Sequence, residues 1–288
     1  TQVPYAFEIN DHLRIFFGAR KEHDKTASVY YINIDRSEPQ RILEIKNEPV
    51  LEKGATGAFD QDGVLPVCLK RVGTDIYMYY GGFTKHVSGS HNCMMGLAIS
   101  KDNGDSFTKI GDGPILPISK TDPYLIGSAD IVLKDNEWHM IYTSGTKWSE
   151  INSSLEISYT LKYAYSTDGI NWIPTGKIVI PHESPVDAYA KPSIFKKGNL
   201  YYMYFSKRQI VDYRIKGEAA YSLGMATSMD LINWERHDDI RGIETSSAGW
   251  DSEMICYPNI IETDSRYLMF YNGNGFGKTG FGLAELIK

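Results

Sequence analysis

One phrase recurs five times along this chain of 288 residues, and it constrains the fold more than any other feature. The phrase is an apolar strand, a short polar turn and an aromatic strand. Its copies open on Pro4-Tyr5-Ala6-Phe7, Pro66-Val67-Cys68-Leu69, Asp130-Ile131-Val132-Leu133, Pro192-Ser193-Ile194-Phe195 and Pro258-Asn259-Ile260-Ile261. Aligned on the aromatic positions Phe17, Tyr79, Tyr142, Tyr204 and Tyr271, the copies stand 62, 63, 62 and 67 residues apart. Self-similarity at a fixed period means repeated supersecondary units sharing one core.

A second phrase follows the aromatic strand and ends in an Asp, Asn or Gly turn, as in Ser100-Lys101-Asp102-Asn103-Gly104, Ser166-Thr167-Asp168-Gly169 and Ser228-Met229-Asp230. Such residues close tight hairpins because they tolerate positive φ or cap the turn with a side-chain oxygen. Each repeat therefore holds about four short strands. The prediction is an all-β chain, a single five-bladed β-propeller over residues 1–288 with four-stranded antiparallel blades. Asp102-Asn103-Gly104-Asp105 superficially resembles a calcium loop, but it lacks the further ligands and terminal Glu and reads as a hairpin turn. No metal and no cofactor are predicted.

The formal net charge of −6 offers no general affinity for phosphate backbones, which argues against a nucleic-acid partner. No apolar run approaches the roughly 20 residues of a membrane helix. Cys68, Cys93 and Cys256 are odd in number and unclustered, so reduced thiols and a cytoplasmic setting are expected, although a leader upstream of Thr1 would change that. Asn152-Ser153-Ser154 fits a glycosylation sequon, a common triplet. The 20 Tyr and 5 Trp exceed what strands need, and their flat faces with polar tips suit stacking on sugar rings.

In a propeller the innermost strand of each blade lines a central channel, and residues just before it face the funnel mouth. Acids recur there: Asp60 and Asp62 in the second repeat, Asp130 in the third, Asp187 in the fourth, Asp251 and Glu253 in the fifth. Converging carboxylates suit glycosyl transfer, in which one acid protonates the leaving oxygen and another acts as base or nucleophile. On this reading Glu253 is the general acid, Asp130 an orienting partner, and Asp60 or Asp62 the base or nucleophile. Lys191, Arg208 and His91 would receive an anionic group, with Lys147 and Lys207 read as solvated charges. Tyr189, Tyr257 and Trp250 are candidate stacking platforms, and Asp187 a further substrate contact. The first repeat offers only Thr1-Gln2-Val3, so an acid from that blade would lie upstream.

Phe59-Asp60-Gln61-Asp62-Gly63-Val64, the Tyr-Met-Tyr strands and Ser166-Thr167-Asp168-Gly169-Ile170-Asn171-Trp172 resemble the five-bladed propeller glycosidases and mannoside phosphorylases, with arabinanases, β-xylosidases, invertases and levansucrases among them. The stretch from Tyr271 to Ala284 is similar to that of bacterial members of the same superfamily. The resemblance spans the chain. It implies a cofactor-free, carboxylate-based reaction on a glycosidic bond, with Asp60 or Asp62 matching the acid before an inner strand and Asp130 the orienting aspartate. Two features depart from the arabinanase and invertase pattern: the first blade has no aspartate, and Glu253 lies in the last blade rather than the middle one.

Three function classes follow. The first is a glycoside hydrolase-like enzyme with a carbohydrate substrate. The second is a phosphorylase or a glycosyltransferase of bacterial surface-polysaccharide synthesis. The third is a carbohydrate-binding propeller without turnover.

Overall fold

The computed structural model describes residues 1–20, 26–86, 90–214, 217–264 and 266–286. These residues form five antiparallel sheets arranged around one axis, with almost no helix. Blade I holds β1 (Gln2–Ile9), β2 (His12–Arg20), β3 (Ala27–Asp35) and β4 (Ile42–Ile45). Blade II holds β5 (Val64–Val72), β6 (Asp75–Thr84), β7 (Asn92–Ser100) and β8 (Thr108–Lys109). Blade III is β9 (Ile126–Lys134), β10 (Glu137–Ile151), β11 (Ser154–Ser166) and β12 (Ile173–Ile180). Blade IV is β13 (Asp187–Lys197), β14 (Leu200–Gln209), β15 (Ser222–Ser228) and β16 (Glu235–Arg236). Blade V has three strands among the described residues, β17 (Cys256–Thr263), β18 (Arg266–Asn272) and β19 (Phe281–Glu285), one fewer than the repeat predicts. No helix of the described residues is long and apolar enough to cross a membrane.

The inner strands β1, β5, β9, β13 and β17 pack side by side, and β1 meets β17 to close the ring. Among the described residues, closure uses no exchanged strand. Instead the fully buried Asn272 of β18 accepts from Val3 N (2.8 Å) and donates to Thr1 O and Gly280 O. Asn259 Oδ1 accepts from Ala6 N at 2.7 Å. Side-chain amides can pair with backbone donors and acceptors as a neighbouring strand would, so they seal a seam that strand hydrogen bonds do not cross.

The ladder registers refine the repeat. Tyr5, Cys68, Asp130, Ser193 and Asn259 oppose Phe16, Tyr79, Ile141, Tyr204 and Phe270. The equivalent aromatic positions are therefore Phe17, Tyr80, Tyr142, Phe205 and Tyr271, which moves the expected Tyr79 and Tyr204 by one residue. The spacings become 63, 62, 63 and 66. Tyr-Tyr and Tyr-Phe pairs in β6 and β14 hide this offset from a composition-based alignment.

The hairpin turns form as their residue types require. Asp168 Oδ1 accepts from Ile170 N and Asn171 N (2.8 Å each), and Asp230 repeats the arrangement with Ile232 N and Asn233 N. The bond from Asn171 N, foremost among several, holds the Asp168 carboxyl well below the usual carboxylate range. Asp102 is taken up by Ser100 Oγ, Ser106 N and Ser106 Oγ.

Candidate active site

Every inner strand carries an irregularity near its start, between the positions facing Gly18, Tyr80, Ser144, Ser206 and Asn272 and the regular ladder beyond. In blades I, IV and V the extra residues are an X-Pro pair: Val3-Pro4, Lys191-Pro192 and Tyr257-Pro258. Each X residue has positive φ (55°, 50° and 58°), which is costly for a residue with a Cβ. The bulge re-aims that side chain, as bulges do beside binding sites. Val3, Lys191 and Tyr257 all line the same cavity on the axis.

That cavity is a funnel of about 390 Å³ at the starts of the inner strands. Antiparallel pairing sets the start of each inner strand beside the end of the second strand, so Arg20 and Lys85 also reach it. Tyr159, Tyr221 and Tyr257 make an aromatic wall, with the Tyr221 and Tyr257 rings 5.7 Å apart. Behind it Arg208 is 3% exposed, stacked 3.8 Å from the Tyr213 ring and donating to Ile157 O and Tyr221 Oη. Burial pushes the Tyr221 hydroxyl up to about 12, with the Arg208 charge opposing. Ser128, Thr143, His91, Gln2 and Thr84 add to the polar lining. The Phe83 ring lies 5.6 Å from His91, and burial lowers the His91 pKa, reinforced by His86.

Among the described residues, Asp62 is the one carboxylate lining this funnel, against three cationic side chains, Arg20, Lys85 and Lys191. Asp62 Oδ2 accepts from Lys85 N at 2.8 Å. Lys191 forms the floor, 1% exposed, with its Nζ 5.4 Å from the centre of the Tyr5 ring and without a hydrogen-bond partner. Burial lowers its pKa, while the negative charge of Asp130 works the other way.

The predicted acids divide. Asp60 is buried outside the funnel, where Oδ2 accepts from Tyr80 Oη (3.2 Å) and Lys109 Nζ (2.5 Å). Asp122 meets Tyr142 (3.1 Å) and Lys162, and Asp251 meets Tyr271 (2.8 Å). All three Asp–Tyr pairs are 20 residues apart. They tie the segment entering a blade to that blade's second strand, so much of the repeat-phased acidity is a structural brace.

Asp130 belongs to a girdle one layer below the funnel. Tyr5 Oη meets Cys68 Sγ (3.4 Å), and Cys68 Sγ meets Asp130 Oδ1 (3.3 Å). Asp130 Oδ2 accepts from Ile194 N (2.6 Å), Ser193 Oγ from Ile260 N, and Asn259 Oδ1 from Ala6 N. Five equivalent residues thus link all five blade seams. Asp130 faces the opposite mouth, beside Lys70 at 3.6 Å.

Asp187 closes the turn entering β13 by accepting from Ser184 N and Tyr189 Oη. Tyr189 is core, 5.3 Å from the Phe205 ring. Glu253 is exposed on the loop before β17, and Trp250 packs on Tyr271 (5.1 Å) and Gly282 at the outer part of blade V; neither lines the funnel. Lys207 pairs with Asp238 at 2.7 Å and Lys147 is exposed. Of the predicted residues, the funnel gathers Asp62, His91, Lys191 and Tyr257, with Arg208 behind its wall. Sequence reasoning missed Arg20, Lys85, Ser128, Thr143, Tyr159 and Tyr221; the signal was their position at second-strand ends and strand edges beside the inner-strand starts.

The fold is a five-bladed β-propeller, and solved structures of glycoside hydrolases share it. A solved structure titled as a glycoside hydrolase matches with a TM-score of 0.76 and 18% identity, over 100% of this chain and 87% of that one. In sequence, the chain is 31% identical over 277 residues to "Uncharacterized protein MT1551" of Mycobacterium tuberculosis, covering 96% of this chain and 88% of that protein, and it belongs to that protein's family. A β-1,2-mannobiose phosphorylase of Thermoanaerobacter sp. is 28% identical over 177 residues, 57% of this chain and 53% of the phosphorylase. No family model matches the chain.

Proposed function

We propose that the protein is a carbohydrate-active enzyme that cleaves or forms a glycosidic bond in the funnel, with phosphate as the other reactant. The observation that carries this reading is the charge of the lining: among the described residues, one carboxylate, Asp62, stands with Arg20, Lys85 and Lys191. Hydrolysis needs two carboxylates about the bond, an acid and a base or nucleophile. Phosphorolysis needs one, because phosphate brings its own nucleophilic oxygen, and cations that hold it.

In the degradative direction, protonated Asp62 donates its proton to the glycosidic oxygen while a phosphate oxygen bonds to the anomeric carbon. The carbon–oxygen bond to the leaving group breaks, giving a sugar 1-phosphate and a free alcohol. Arg20, Lys85 and Lys191 neutralise the phosphate, and Tyr159, Tyr221 and Tyr257 offer ring faces and hydroxyls to the sugar. The match to a mannobiose phosphorylase supports the same chemistry.

The test is a panel of sugar 1-phosphates with sugar acceptors, read by phosphate release, for the wild type and Asp62→Asn. Release that depends on acceptor and disappears in the variant supports the reading. Turnover of glycosides at full rate without phosphate would assign a hydrolase instead. Sugar binding with no turnover under any condition would assign a binding propeller.

A further inference from the structure

We propose that a groove beside the funnel receives an apolar aglycone of the same ligand whose glycosyl unit occupies the funnel; this rests on the carbohydrate reading above. The groove holds about 340 Å³ and shares His91 with the funnel, so the two spaces adjoin across a single side chain.

Its origin is a local departure from the repeat. The hairpin of β10 and β11 stays paired out to Ile151 and Ser154, whereas the β6–β7 hairpin stays paired only to Thr84 and Asn92. The inner strand β9 pairs with β10 only as far as Ser144, so the stretch beyond it overhangs the funnel mouth. Trp148 and Leu155 ride on that overhang, and the segment joining β8 to β9 supplies Ile118, Pro123 and Tyr124 opposite them. Trp148 packs on the buried cluster of Cys93, Leu125 and Ile157, of which Cys93 and Leu125 also line the funnel.

The chemistry of the lining selects the occupant. Five of its eight described residues are Ile, Pro, Tyr, Trp and Leu, and none is Asp, Glu, Lys or Arg. The Asn92 side-chain oxygen is already engaged by Cys93 N. His86, His91 and Asn92 are the remaining described lining residues, and the five apolar and aromatic ones offer area that an alkyl or aryl group would cover. Ile118, Tyr124 and Leu155 are 42%, 40% and 39% exposed, apolar surface that such a group would cover.

Binding of methyl and octyl hexopyranosides of gluco, manno and galacto configuration, measured by titration calorimetry, tests this. For the sugar that binds, the octyl form is expected to bind roughly 10- to 100-fold tighter, the effect of burying a few methylenes. That ratio collapses toward one in Leu155→Ser and Tyr124→Ser, which alter exposed side chains, and in Trp148→Ala, which also loosens the underlying cluster. Equal affinity of methyl and octyl forms, an octyl gain untouched by the Leu155 and Tyr124 variants, or preference for methyl disaccharides over octyl monosaccharides overturns the groove while leaving the funnel reading standing. Failure of every glycoside to bind overturns both.

Discussion

Replacing Asp60 by alanine separates brace from catalyst. The carboxylate is 2% exposed and accepts from both Tyr80 and Lys109. Its removal leaves the Tyr80 hydroxyl, on a fully buried residue, without its acceptor, a cost of about 1–3 kcal/mol. It also removes the partner of Lys109, whose side chain keeps 21% exposure and can recover part of its solvation. Breaking a buried pair costs about 3–5 kcal/mol, so the total here lies near the low end, about 3 kcal/mol. Unfolding entropy of about 2.1 cal/mol/K per residue gives about 0.6 kcal/mol/K for 288 residues, so the melting temperature should drop by about 5 °C. Calorimetry, with urea midpoints as a second probe, measures this. Asp62→Ala, at a part-exposed position, should move stability by no more than about 0.5 kcal/mol yet remove turnover. An Asp60→Ala protein that melts like the wild type and is catalytically dead would refute the brace.

Asn272→Leu tests ring closure: two backbone groups across the seam, Val3 N and Thr1 O, and Gly280 O within blade V lose their partner, and a loss of about 3–5 kcal/mol is expected in urea unfolding, against little change if closure rests on packing alone. Asp238 predicts an acid limb. Burial opposes its ionisation, but hydrogen bonds from Arg236, Lys207 and Met225 N hold its pKa at about 2. A depressed folded-state pKa gives stability that is present above pH of about 4 and lost as pH falls through about 2. The contribution is about 2 kcal/mol, and Asp238→Asn should flatten that limb; an unchanged slope between pH 4 and 2 would contradict it.

The repeat was legible because each blade must bury the same alternation of apolar and aromatic residues against its neighbours. The one-residue offset at Tyr79 and Tyr204 was not, since the adjacent aromatics Tyr79-Tyr80 and Tyr204-Phe205 leave two equivalent choices in each strand. Carboxylates tracked the repeat for two physical reasons that composition does not separate. Asp60, Asp122 and Asp251 brace blade entries to Tyr80, Tyr142 and Tyr271, while Asp62, two residues on from Asp60, faces the funnel. Lys191 and Tyr257 stand out in the sequence because each comes just before the Pro of its repeat, although the positive-φ bulge that aims them is visible only in three dimensions. Arg20 and Lys85 sit far from those starts in sequence and beside them in space, where antiparallel pairing puts them. Glu253 is the opposite case: it precedes β17 in sequence, yet it is exposed and is absent from the described funnel lining.

The most direct test of the central claim uses the one ligand whose identity the reading fixes. Titration calorimetry with inorganic phosphate should show saturable binding to the wild type, with a Kd of about 1 mM or tighter, and a loss of about 10-fold or more in Lys85→Met/Lys191→Met as charge-assisted hydrogen bonds disappear. No saturable binding to the wild type, or equal binding to the double variant, would contradict a funnel built for phosphate.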